Sequence, residues 1–162
     1  MPIVVVPRRL LAHSSVTRAL NFIHTHTGER LAVKYFSGGA YLPDALATID
    51  YLLRDFRTGD VQSIDADLLD LLHGLAGLTQ TTQPFQIISG YRSPATNEML
   101  RHRSEGVAAG SLHMKGQAID IRLGDVPLIR LRQAAVEIRR GGVGFYPASD
   151  FVHVDTGRVR MW

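Results

Sequence analysis

The stretch Ser111-Leu112-His113-Met114-Lys115-Gly116-Gln117-Ala118-Ile119-Asp120 decides how the second half of this chain folds. It leaves a loop rich in Gly, Ala and Ser (residues 104 to 112), turns at Gly116 and enters an apolar strand, Ala118 to Leu123. Downstream, Phe151-Val152-His153-Val154-Asp155 alternates, so Phe151, His153 and Asp155 share one face while Val152 and Val154 point into the core. A strand-turn-strand can fold His113 and Asp120 onto one point, and His153 on a neighbouring strand can join them. Two imidazoles and one carboxylate suit a catalytic metal, because three protein ligands leave a fourth position open for water. Taken singly, the same residues are ordinary core or surface groups.

Working outward, Phe85 to Ser89 reads as a short buried strand that delivers Gly90-Tyr91-Arg92. Ser93-Pro94 then opens a helix that lasts to about Arg103, by the pairing of a cap with a proline at the first helical position. Beyond Leu123, Asp125 is expected to cap a helix carrying Pro127 in its first turn and ending before Gly141-Gly142. Val143 to Tyr146, Phe151 to Val154 and Arg158 to Met161 read as closing antiparallel strands. Toward the N-terminus, residues 18 to 36 alternate around Thr27-Gly28-Glu29 and predict a hairpin. A helix is expected from Pro43 to Arg57, with Leu46, Ile49, Leu53 and Phe56 on one stripe, and another over 66 to 76 capped by Asp65. With no repeat or linker visible, the reading is one α+β domain over residues 18–162, helices packed on a small, mainly antiparallel sheet, after an extension at 1–17.

Composition narrows the chemistry. At 162 residues and 45% hydrophobic, the chain can bury a real core. It has no cysteine, which excludes disulfides and thiolate metal sites and leaves His, Asp and Glu as ligands. The net charge is +3, carried mostly by arginines in small groups such as Arg8-Arg9 and Arg139-Arg140. That pattern reads as a solvated surface, and its mild positive field also suits a polymer rich in carboxylates, such as a peptide-bearing glycan. No interleaved aromatic pattern points to nucleic acid. No apolar window is long enough for a transmembrane segment. Met1 to Ala12 places its short apolar run before Pro7-Arg8-Arg9, the reverse of a signal peptide, so no export signal is read in this sequence.

Ser111-x-His113-x-x-Gly116-x-Ala118-x-Asp120 resembles the signature of the zinc D-Ala-D-Ala peptidase superfamily, and Phe151 to Gly157 resembles its second motif. Further motifs extend the likeness over nearly everything after residue 17: His26-Thr27-Gly28-Glu29, Leu42-Pro43-Asp44-Ala45-Leu46, Leu53-Arg54-Asp55-Phe56-Arg57 and Ser89-Gly90-Tyr91-Arg92-Ser93. Together they are similar to the YcbK-like branch of the M15 zinc peptidases, which holds murein endopeptidases. The resemblance implies a hedgehog/D-Ala-D-Ala-peptidase-like fold and a Zn2+ enzyme acting on peptidoglycan peptide stems. It also implies a periplasmic location, read from the substrate alone. By position it makes His113, Asp120 and His153 the zinc ligands and sets Arg92 near the scissile carbonyl, where a fixed guanidinium stabilises an oxyanion. Ser111 would bind substrate or support its loop, and Tyr91 would line the groove or pack beneath it.

Two carboxylates compete for the general base. Many relatives carry Glu three residues before the last histidine, where this chain has Asp150. Asp155, on the face of His153, is the rival, either as base or as the acceptor that orients an imidazole. His24 and His26 read as surface or hairpin residues, His73 as helix surface and His102 as part of a basic helix end. The leading function is a zinc-dependent murein endopeptidase cutting diaminopimelate–diaminopimelate or D-Ala–diaminopimelate crosslinks. The alternative is an inactive zinc-containing peptidoglycan-binding module, and a structural assembly protein ranks last. Iron, cobalt or manganese would also accept this ligand set, and the sequence does not encode the oligomeric state.

Overall fold

The computed structural model describes residues 16–103 and 107–162, so the expected extension at 1–17 lies almost wholly outside the described residues. Eight strands form one mixed sheet in the order β3-β2-β1-β4-β5-β7-β6-β8. The hairpin is β1 (Arg18–His24) and β2 (Arg30–Ser37), extended by β3 (Ala40–Tyr41). Instead of standing apart, it joins the site-bearing strands through parallel pairing of β1 with β4 (Phe85–Ser89). The sheet is therefore larger than expected, though five of its seven pairings are antiparallel. β5 (Ala118–Arg122), β6 (Gly142–Tyr146) and β7 (Phe151–Asp155) form its centre and far side. β8 (Arg160–Met161) runs parallel to β6, not antiparallel as the sequence suggested.

Helices α1 (Pro43–Leu52), α2 (Ala66–Thr79) and α4 (Leu128–Ile138) bury apolar faces, that of α2 rich in leucine, while α3 (Pro94–Arg103) follows β4. Leu68, Leu69, Leu72 and Leu75 of α2 are fully buried with Ile119 and Ile121 of β5 and Val152 and Val154 of β7. Removing this apolar area from water at about 25 cal/mol per Å² is the main stabilising term. The opposite face of β5 and β7 is thereby left to polar residues.

Three local expectations are corrected. α1 ends at Leu52: the Arg54 N–H turns to the Tyr51 carbonyl, three residues back, and Asp55 accepts the Arg57 N–H at 3.0 Å, turning the chain, so Phe56 leaves the helix. Asp125 does not cap α4: it accepts from Thr81 Oγ1 and Thr82 N at 2.6 and 2.9 Å, and Pro127 takes the cap position. His24 ends the hairpin strand β1, as the hairpin reading has it, but is fully buried rather than on the surface. Asp65, by contrast, caps α2 as read, accepting from Asp67 N.

His113 lies not on a strand but in a short helical turn, Leu112–Lys115, ended by Gly116 at φ +66°. A Cβ on Gly116 would sit 2.2 Å from the Ser63 carbonyl oxygen, and the Gly116 carbonyl accepts the Asp65 N–H at 2.9 Å. Gly116→Ala is therefore expected to destabilise the fold by about 2 kcal/mol or more, from a left-handed backbone and a backbone clash together. Denaturant melting measures it; an unchanged midpoint would refute the close approach.

Candidate metal centre

β5 and β7 are in register with Asp120 opposite His153, so the two side chains leave the same face of adjacent strands. The turn before β5 swings His113 over them. The Ser111 side chain starts that turn by accepting from His113 N at 3.3 Å. His113, Asp120 and His153 offer ligand atoms that all lie within 4.8 Å of one another, and all three residues are buried. They sit in a cleft of about 590 Å³, which Arg92 and Ser111 also line.

Hydrogen bonds to the outer ring nitrogens determine which atoms face inward. His113 Nδ1 is 2.7 Å from the Gly90 carbonyl, which can only accept, so the proton is on Nδ1 and Nε2 presents its lone pair. His153 Nε2 is 3.0 Å from Asp155 Oδ2, so its proton is on Nε2 and Nδ1 faces the site. The inward atoms are close: His113 Nε2 to His153 Nδ1 is 3.2 Å, and Asp120 Oδ1 is 2.9 Å from His153 Nδ1 and 3.3 Å from His113 Nε2. Three converging electron pairs repel unless a proton or a metal cation lies among them. This donor set fits a divalent metal with a preference for nitrogen and oxygen ligands.

Electrostatics agree. Burial lowers the His113 pKa and favours the neutral imidazole a ligand needs. Burial alone would raise the Asp120 carboxyl, yet the charges and hydrogen bonds of His113 and His153 hold it far below the usual carboxylate range. His153 is raised because, against the effect of burial, Asp120 and Asp155 both favour its charged form; a metal at Nδ1 would take the place of that proton.

Each of the three groups has supports of its own. Arg92 donates through Nη2 to Asp120 Oδ2 at 2.7 Å and through Nε to Ser89 Oγ at 2.9 Å, turning Oδ1 toward the histidines. Asp155 is fully buried, accepting from Gly142 N and Gly157 N at 2.9 Å each, from Arg160 and from His153. Gly90 can bring its carbonyl under His113 because a Cβ there would meet the Leu53 carbonyl oxygen at 2.6 Å. The backbone closes the arrangement: Tyr91 N donates to Leu53 O at 2.8 Å and Arg92 N to His113 O at 3.2 Å.

Of the residues singled out in the sequence, His113, Asp120, His153, Arg92 and Ser111 come together at the cleft, and Asp155 lies behind His153. Tyr91 packs against the core and is not among the cleft-lining residues. Asp150 is exposed at φ +54°, with its carboxylate 3.0 Å from Arg122 Nη1, also outside the lining. His102 pairs with Glu98 on the surface. The sequence reading missed the Gly90 carbonyl and Arg160. It also missed an aromatic wall in which Trp162 stands 5.2 Å from His153 and donates to Tyr146 Oη. Gly144, opposite His153 in β6, leaves room for that Trp162 ring.

The M15 peptidase family model described as peptidoglycan L,D-endopeptidase MepK matches residues 12–162. The peptidoglycan L,D-endopeptidase MepK of Escherichia coli is 47% identical over 145 residues, covering 90% of this chain and 80% of that protein. The probable peptidoglycan L,D-endopeptidase MepK of Haemophilus influenzae is 42% identical over 161 residues, covering 98% and 87%. The match spans the hairpin, the cleft and the ligand-bearing strands alike, and M15 peptidases are metal-dependent. The chain therefore belongs to the MepK family of M15 peptidases.

Proposed function

We propose that this chain is a zinc-dependent murein endopeptidase that hydrolyses amide bonds in the peptide crosslinks of peptidoglycan, acting in the periplasm where that substrate lies. The observation that carries the reading is the convergence of His113 Nε2, His153 Nδ1 and Asp120 Oδ1 in a cleft of about 590 Å³. Zinc held there would polarise the scissile carbonyl and lower the pKa of a water to about 7. Arg92 fixes Asp120 and keeps guanidinium N–H groups free to hold the oxyanion that develops on that carbonyl. Asp155 keeps the His153 ring in one tautomer and one orientation. Ser111 sets the turn that carries His113.

The relatives' designation as L,D-endopeptidases favours a bond joining an L to a D centre. A crosslink between two diaminopimelate residues has that stereochemistry, whereas D-Ala–diaminopimelate joins two D centres.

The surroundings of the two carboxylates weighed for the general base separate them. Asp155 is saturated with donors and shielded behind His153, which suits orientation and not proton transfer. Asp150 stays on the rim, paired with Arg122. Among the described residues lining the cleft, Asp120 is the one carboxylate. Asp150→Asn is accordingly expected to keep kcat within about threefold of the parent, where removing a true general base costs 10²-fold or more. A hundredfold loss would return the role to Asp150.

That scarcity of carboxylates is also the observation favouring a binding module without turnover. Digestion of purified peptidoglycan by zinc-loaded and chelator-stripped protein separates the two, with products read by mass spectrometry. Loss of crosslinked dimers that chelation stops and zinc restores supports the peptidase. Intact dimers in the presence of protein with zinc confirmed bound would favour the binding module.

A further inference from the structure

We infer that Arg57, with His26 beside it, forms a subsite at the β1 end of the cleft that takes a carboxylate of the crosslinked peptide. This rests on the peptidase reading above and adds a recognition element to it. The cleft crosses the sheet from the turn after β1, over β4 and β5, to the strands at the opposite edge. Its ends differ in chemistry. The β6–β8 end is the aromatic wall of Tyr146, Phe151 and Trp162, and the β1 end is made by His26 and Arg57.

Among the described residues three arginines line the cleft, and two are already neutralised: Arg92 by Asp120 and Arg160 by Asp155. Arg57 has no carboxylate within ion-pair distance among the described residues; its neighbour Asp55 receives the Arg57 main-chain N–H instead. Partial burial lowers the Arg57 pKa, the nearby Asp55 charge opposes that, and the charges of Arg92 and Arg103 add to the lowering.

The guanidinium also stacks on its neighbour. It lies 4.2 Å over the Phe56 ring, and Phe56 stacks on His26 at 4.3 Å and 12°. Buried His24 meets the Phe56 edge at 5.4 Å and 71°. Asp55, itself buried, accepts from Ser93 N and Oγ at 2.9 and 2.7 Å as well as from Arg57 N, which ties this turn to the one bearing Arg92. Stacking on Phe56 leaves the guanidinium N–H groups open to a docking carboxylate, and the planar fork of arginine matches its two oxygens. A crosslink between diaminopimelate residues retains free carboxylates, so the substrate brings a partner for a guanidinium that forms no ion pair among the described residues.

The test uses muropeptide dimers crosslinked between diaminopimelate residues, in free-carboxylate form and with those carboxylates converted to carboxamides. Zinc-loaded wild type, Arg57→Gln and Arg57→Lys are compared for kcat/KM and, by calorimetry, for binding, with zinc content and melting temperature checked for each. Wild type is expected to lose about tenfold or more in kcat/KM on amidation. Arg57→Gln should lose as much on the free form and no longer distinguish the two, while Arg57→Lys recovers part of the preference. A variant that slows both forms equally, or keeps the wild-type preference, overturns the inference with the peptidase intact. If nothing is hydrolysed but wild type still binds the free form tighter and Arg57→Gln does not, the subsite stands and the peptidase reading falls. Equal or absent binding of both forms by wild type overturns the subsite.

Discussion

Replacing His153 by alanine is expected to remove metal and activity together while leaving the protein folded. Two ligands of three remain in His153→Ala, and a two-point site holds zinc too weakly to survive dialysis. Loss of the metal removes carbonyl polarisation and water activation at once, so kcat/KM should fall by at least about 10³-fold. The fold should tolerate the change because each partner keeps other bonds. Asp120 retains Arg92, and Asp155 retains Arg160 and the N–H groups of Gly142 and Gly157. Zinc content by elemental analysis, muropeptide release and far-UV circular dichroism read the three parts separately. Full zinc occupancy in the variant would remove His153 from the ligand set, and turnover without metal would sink the mechanism.

Asp155→Ala is expected to act on stability and metal affinity alike. The carboxylate is fully buried and ionised: burial would raise it, but the hydrogen bonds from His153, Gly142, Arg160 and Gly157 hold it well below its ordinary value. Truncation leaves the Arg160 guanidinium and two main-chain N–H groups without their acceptor, and breaking such a buried network typically costs about 3–5 kcal/mol. It also frees the His153 ring to rotate and change tautomer, which lowers metal affinity by about 10- to 100-fold. Asp155→Asn should recover part of the stability, since the amide oxygen still accepts, but less of the metal affinity, since the negative charge behind the ring is gone. Denaturant unfolding with competitive zinc titration gives both numbers. A variant as stable and zinc-avid as the parent would make Asp155 a bystander.

Much of the centre was legible in the sequence because its logic is local. Alternation along Phe151 to Asp155 placed His153 and Asp155 on one face, and the seven-residue spacing with Gly116 between brought His113 to Asp120. Asp65 was readable as a cap because a cap acts over two residues. What escaped depends on partners far apart in the chain. Residues 53 to 57 carry a helical stripe, and only the distant Ser93 turns Asp55 into the anchor that ends α1 early. His24 has the look of a hairpin histidine until Phe56, thirty-two positions on, covers it. Two strands of two residues, β3 and β8, are too short to show a period, so neither the width of the sheet nor the direction of β8 was visible.

The contact between Gly90 and Leu53 has a bearing on how this protein can change over generations. The proton that aligns His113 is received by the Gly90 carbonyl, and the N–H of the same peptide, Tyr91 N, donates to the Leu53 carbonyl, so main-chain groups alone link Leu53 to the outer nitrogen of His113. A main-chain acceptor cannot be lost to a point substitution in the way that Asp155 can. The two imidazoles are thus unequally exposed to genetic drift: one is oriented by a replaceable residue, the other by the polypeptide itself. Variation around His113 is constrained chiefly by the requirement that position 90 remain without a side chain.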